Sequence, residues 1–235
     1  MAQIGFSTGA VSKFTEIPED RINYLTGLEI DAIEIILAEP EFVLNFKLDE
    51  IKPLLKDIDN ISIHSVFRTI KHNKMKQSLD KLGTICSKLD ASGVVFHPGT
   101  EEEYALLENV GFPVLIENMD AAKPFGKSVA YFSELFRTFN FGFVLDIQHA
   151  YLNDPTMVLA QKLVNTFETR LKHIHISECD SKLRHIPLYN NANDPIATFL
   201  RNNSKSRQVA WLDEGAVTKE IDLQTELTYL HNLQK

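Results

Sequence analysis

The sequence predicts a (β/α)8 barrel of one domain spanning residues 1–235, and three observations carry that expectation. Short apolar segments alternate with amphipathic stretches along all 235 residues, the pattern of successive βα units. Glu34, His64, His97, Glu117, Asp146, His175 and Glu214 close or follow successive apolar segments at a spacing of roughly 30 residues, the repeat of a small barrel. No linker or shift of composition divides the chain. An open, doubly wound sheet uses the same units, but eight in sequence favour closure.

The expected strands are Ile4–Ser7, Asp31–Ile36, Asn60–His64, Gly93–His97, Pro113–Glu117, Gly142–Asp146, Leu171–Ser177 and Val209–Asp213. Their apolar runs are continuous rather than alternating, as in strands covered on both faces. Thr15 to Gly27 reads as a helix, with Pro18 early and Gly27 as its stop. Leu48–Asp57 is the next, and Lys74–Leu89 follows with helical spacing through Met75, Leu79, Leu82 and Leu89. Glu101–Val110 and Lys127–Thr138 continue the alternation, and Asp154–Phe167 is entered through an Asp-Pro cap. A polar, loop-like stretch from Cys179 to Asn193 precedes a helix near Pro195–Asn202, and Thr218–Gln234 closes the chain as a helix.

Composition narrows the function classes. A hydrophobic content of 44% with 24% charge is ordinary for a globular protein. No stretch has the apolar length of a membrane helix, and Met1–Ala10 lacks the basic-then-apolar pattern of a leader. Cys86 and Cys179 are too few for a disulfide framework, so the expected location is cytoplasmic. The net charge of −8 argues against general coating of nucleic acid, while leaving room for a local basic patch. Neither a G-x-G-x-x-G run nor a phosphate loop occurs, so no nucleotide cofactor is expected.

Chemistry concentrates where the strands end. Gly142–Tyr151 reads GFVLDIQHAY, a buried run stopping at Asp146 with His149 three residues on. A carboxylate at the end of a buried strand is costly unless a cation meets it, and the nearby imidazole is a second natural ligand. In a parallel barrel all strand C-termini open on one face. That face gathers His64, His97, Glu117, Asp146, His149, His175 and Glu214 into one mouth. Imidazole and carboxylate without thiolate suit Zn²⁺, with Mn²⁺ or Fe²⁺ as alternatives, better than Ca²⁺ or Mg²⁺. The candidates outnumber the needs of one ion, so two are expected. Two ions about 4 Å apart can hold an attacking hydroxide and stabilise a leaving oxygen, as in phosphoester hydrolysis. Glu34, inside its strand, is a candidate to orient a ligand histidine or a substrate hydroxyl. Arg68, Lys182 and Arg184 are candidates for binding an anionic, phosphorylated substrate, although each also suits a solvated surface.

These residues resemble the xylose-isomerase-like TIM barrels (AP endonuclease family 2), and within them the endonuclease IV family. The matching pieces are His64 in ISIHS, His97 in FHPGT, Glu117 in LIEN, Asp146 and His149 in LDIQHA, His175 in HISE, His185 in RHIPL, and Glu214 after WLD. The resemblance implies a first ion on His64, His97 and Glu117. It implies a second on Glu117, Asp146, His175 and Glu214, so that Glu117 bridges, with Glu117 and Glu214 as the catalytic pair. It further implies a third ion on His149 and a D-x-H pair ending at His185. Here the position two before His185 is Leu183, which points to a weak or vacant third site; Asp180 and Glu178 are the stand-ins the loop offers. The activity implied is hydrolysis of abasic-site DNA or of a small phosphorylated substrate. Sugar isomerases and epimerases of the same superfamily need only Glu117, Asp146, His175 and Glu214, and remain the alternative. A barrel that binds metal without catalysis is the third reading.

Overall fold

A computed structural model describes residues 2–65, 72–190, 195–204 and 209–235. Eight parallel strands close into a barrel: β1 (Ile4–Ser7), β2 (Ala32–Ile36), β3 (Asn60–His64), β4 (Val94–Phe96), β5 (Val114–Glu117), β6 (Gly142–Asp146), β7 (Leu171–Ile176) and β10 (Ala210–Asp213), with β10 sealing against β1. Each lies within a residue or two of its expected span. A small antiparallel hairpin, β8 (Glu178–Cys179) with β9 (His185–Ile186), stands outside the barrel in the stretch expected to be loop.

The outer layer comprises α1 (Pro18–Thr26), α2 (Pro40–Asn45), α3 (Leu48–Ile51), α4 (His72–Leu89), α5 (Glu101–Leu107), α6 (Val129–Thr138), α7 (Ile147–Asn153), α8 (Val158–Thr166), α9 (Pro195–Asn203) and α10 (Glu220–Leu233). The expected helix Leu48–Asp57 is split, continuing as a 3-10 turn over Lys52–Leu55 where Pro53 intervenes. Two helices were not expected. One is α2; the other is α7, which starts immediately after β6 because the Asp146 carboxylate accepts the His149 amide at 2.7 Å and caps it. Among the described residues, no helix is long and apolar enough to cross a membrane.

The strands alternate after all, and the alternation separates the core from the site. Outward side chains such as Ile4, Phe6, Ile33, Ile35, Ile61, Ile63 and Trp211 belong to the large cluster shared with the helices. Inward positions form two small apolar clusters, Ala32, Ala210 and Leu212 in one, and Val95, Leu115 and Val144 in the other. One step further along each strand, on the same face, stand Glu34, His64, His97, Glu117, Asp146, His175 and Glu214. The barrel therefore has a mainly apolar floor, interrupted by Ser62 and His173, beneath a charged upper layer. Crowding inside is severe at β1, where a Cβ on Gly5 would come within 1.7 Å of the Ala32 carbonyl oxygen.

The β10 end and the hairpin are locked together by a buried acid pair. Asp213, facing outward from β10, meets Glu226 of α10, and burial beside that second carboxyl pushes the Asp213 acid well above its usual range. Glu226 accepts the Leu188 and Tyr189 amides at 2.8 and 2.9 Å. This fixes the segment that follows His185. Glu226→Ala strands both amides and is expected to lower stability by about 3 kcal/mol, read as a fall in the urea midpoint at unchanged slope.

Candidate metal centre

The upper layer is built around Glu117, at the end of β5. Its Oε2 lies 3.4 Å from His64 Nε2 and 3.5 Å from His97 Nε2, while its Oε1 lies 3.0 Å from His175 Nδ1. The two oxygens thus face two different groups of side chains. Glu214 Oε1 approaches the same His175 nitrogen at 3.6 Å. Ligand atoms of His64, His97 and Glu117 fall within 4.8 Å of one another, and so do those of Glu117, Asp146, His175 and Glu214. Asp146, His149 and His185 form a further group by the same measure.

Asp146 is held from several sides. Asn118 donates to its carbonyl and accepts its amide, both at 2.8 Å. Its Oδ1 caps α7, which leaves Oδ2 buried without a hydrogen-bond partner. His64 Nε2 and Glu117 Oε2, 3.4 Å apart, are likewise buried and make no hydrogen bond. Native interiors rarely orphan buried polar atoms, and each such case calls for an unseen partner. Three that converge on one mouth, all of them imidazole nitrogen or carboxylate oxygen, fit divalent cations.

Glu34 lies beneath this layer and is wholly buried. Its Oε1 is 3.2 Å from His64 Nδ1, its Oε2 is 3.1 Å from His175 Nε2, and it accepts the Ser62 hydroxyl at 3.0 Å. His173 Nε2, one inward step below His175, is 3.3 Å away. A carboxylate can only accept, so it draws the ring protons to His64 Nδ1 and His175 Nε2. The other nitrogen of each ring faces Glu117 and offers a lone pair to a cation once it has lost its own proton.

The acids and imidazoles of this layer bias one another. Against the cost of burial, His175 and His64 hold Glu34 well below the usual carboxylate range, and His175, His64 and His97 do the same for Glu117. His64 and His175 are raised in return, despite burial, by the surrounding acids. Burial, with Glu117 and Asp146 nearby, pushes Glu214 up to about 8. Enclosure lowers His97, although 36% of its side chain reaches solvent. A cation entering here must displace the protons that now offset the acids.

The remaining candidates are distributed unevenly. His149 pairs with Asp120 at 3.2 Å, a partner that sequence reasoning missed because only the folded loop after β5 brings it there. His185 bonds the Ser177 hydroxyl at 2.7 Å. Leu183 takes the left-handed conformation at φ 59° and is exposed, so the D-x-H position points to solvent. Asp180 is engaged by the Lys182 and Arg184 amides and by the Arg184 guanidinium, which hold it down at about 2. It is therefore no stand-in for the third site. Lys182 and Arg184 sit exposed on the hairpin turn, Arg184 turned onto Asp180. Arg68 lies outside the described residues.

No sequence-family model matches the chain, and no curated protein matches it in sequence. Solved structures do match in fold. A D-tagatose 3-epimerase-like protein superposes with a TM-score of 0.73 at 16% identity, covering 98% of both chains. Endonuclease IV from Thermus thermophilus gives 0.69 at 18% identity, again over 98% of both. D-Allulose 3-epimerase from Methylomonas sp., in complex with D-allulose, gives 0.67 at 17% identity over 97% of this chain and 89% of that one. In fold, then, the chain is a closed parallel (β/α)8 barrel similar to xylose-isomerase-like TIM barrels, with a D-tagatose 3-epimerase-like protein, a D-allulose 3-epimerase and an endonuclease IV alike among its structural neighbours.

Proposed function

We propose that the protein is a divalent-metal-dependent hydrolase of phosphoesters, resembling endonuclease IV, that acts on abasic-site DNA or a small phosphorylated substrate. The observation that carries this reading is the division of Glu117, with one oxygen toward His64 and His97 and the other toward His175 and Glu214. An enzyme needing one ion has no use for the His64–His97 pair. We assign the first ion to His64, His97 and Glu117, and the second to Glu117, Asp146, His175 and Glu214, with zinc the best match to the donors. Divalent ions in such a site supply Lewis acidity, favouring ionised water and neutralising charge on a phosphoryl oxygen.

The protein's own part is orientation. Glu34 fixes both histidine rings from below, and Asn118 with the α7 amide fixes Asp146. Glu117 and Glu214 flank the space above, where their oxygens can orient a water against a bound ester. Asp146, His149 and His185 make a weaker third position, because the acid beside His185 is missing.

The second reading is a sugar or sugar-phosphate isomerase or epimerase, favoured by the intact quartet of Glu117, Asp146, His175 and Glu214. Metal analysis of protein purified without chelator separates the two. Two ions per chain and cleavage of an abasic-site duplex or a phosphoester are the expected results. One tightly held ion, with turnover of a ketose and none of the esters, would establish the isomerase instead.

A further inference from the structure

Beside His97 the mouth adjoins a cavity of about 330 Å³ that none of the other acids and histidines of the centre enters. Its apolar lining comes from Phe96 at the end of β4, Met75 of α4, Leu106 and Leu107 of α5, and Met119 and Phe125 of the next loop. That loop is preformed. The Met119 amide donates to the Gly126 carbonyl at 2.8 Å and closes its neck. Gly126 has φ +79°, and a Cβ there would stand 2.4 Å from the Pro98 ring, so loop and β4 end pack as one wall.

The polar groups along the walls are already engaged, with one exception. Glu103 accepts the Thr100 amide at 2.7 Å as half of the α5 capping box. The Tyr104 hydroxyl accepts the Gly99 amide at 3.0 Å and bonds Tyr131. His97 turns Nε2 toward Glu117. Lys123 is exposed at the edge, and its ammonium makes no ion pair or hydrogen bond among the described residues. Leu106 and Phe125 keep 45% and 37% of their surface in solvent, although both line the cavity. Large apolar side chains at a cavity mouth gain by being covered.

We infer that the substrate carries an apolar ring system, of one or two fused rings, joined to the anionic group that reaches the metal centre. The ring occupies the cavity, and Lys123 pairs with the anion at the cavity edge. A polyhydroxylated sugar chain would leave most of its hydroxyls against the Met75, Phe96, Leu106, Leu107, Met119 and Phe125 side chains, which offer them no hydrogen bond. This inference deepens the phosphoester reading and rests on it, because the anionic group is placed by the metal centre.

The test uses the metal-loaded full-length protein and calorimetric titration with 1-naphthylphosphonate, methylphosphonate and glycerol 3-phosphate. The naphthyl compound is expected to bind at least tenfold more tightly than either small anion. Leu106→Asp, on an exposed helix position, is expected to remove that advantage while leaving methylphosphonate within twofold. Leu107→Trp, which fills the cavity from its floor, is expected to do the same. Equal affinities for the three anions, with ion content intact, would overturn the cavity assignment and leave the metal reading standing. Failure to bind ions, with 1-naphthol still bound by the wild type and not by Leu107→Trp, would overturn the metal reading and leave the cavity. Binding of neither 1-naphthylphosphonate nor 1-naphthol would overturn the inference.

Discussion

Glu117→Ala is expected to empty both ion positions together, whereas His97→Ala is expected to release one ion and keep the other. The reason lies in the two oxygens of one side chain. Oε2 meets His64 and His97, and Oε1 meets His175. His97 sits at the rim with a third of its side chain exposed, and 36% exposure leaves room for water to replace it. Glu117 is buried beneath and has no substitute. Metal content per chain after gel filtration, by mass spectrometry, reads the difference. Affinity in Glu117→Ala should fall by more than the roughly 10–100-fold typical of losing an outer partner of a ligand. Phosphoester turnover should disappear with it. If both variants release the same number of ions, Glu117 does not bridge, and the multinuclear reading goes with it.

Glu34→Ala is expected to be the most damaging substitution for the metal-free protein. It would leave His64 and His175 with one buried counter-charge, Glu117, in place of two, a loss on the order of 3 kcal/mol, visible as a lower urea midpoint. Glu34→Gln is the sharper variant, because the amide keeps the volume. It offers one acceptor where His64, His175 and Ser62 need two. One ring then loses its orientation, and metal affinity should drop roughly 10–100-fold with the fold preserved. Full metal affinity in Glu34→Gln would show that the rings are held by packing alone.

Much of this was legible in advance for a physical reason. Each barrel strand couples a local signal, an apolar run, to a chemical one at its end, so the eight strands and their mouth residues could be read from spacing. The alternation was harder to see. Inward positions near the floor are Ala, Val and Leu, which join the outward aliphatics into a seemingly continuous run. Helix α7 escaped notice because its cap is Asp146, a residue whose obvious reading is ligand. Asp120 beside His149, and Glu226 beside Asp213, arise from contacts between distant segments that no local pattern records. Asp180 illustrates the converse. Sequence proximity to His185 suggested a stand-in acid, but a neighbouring arginine and two amides claim it within its own turn.

Asp146 divides its oxygens between the first turn of α7 and the mouth, and α7 also carries His149. A pull on this carboxylate from the mouth side is therefore transmitted to the helix start, and through it to the imidazole three positions on. An ion drawn to the main centre would in this way be geared to the posture of the His149–His185 pair, with no intervening loop between them.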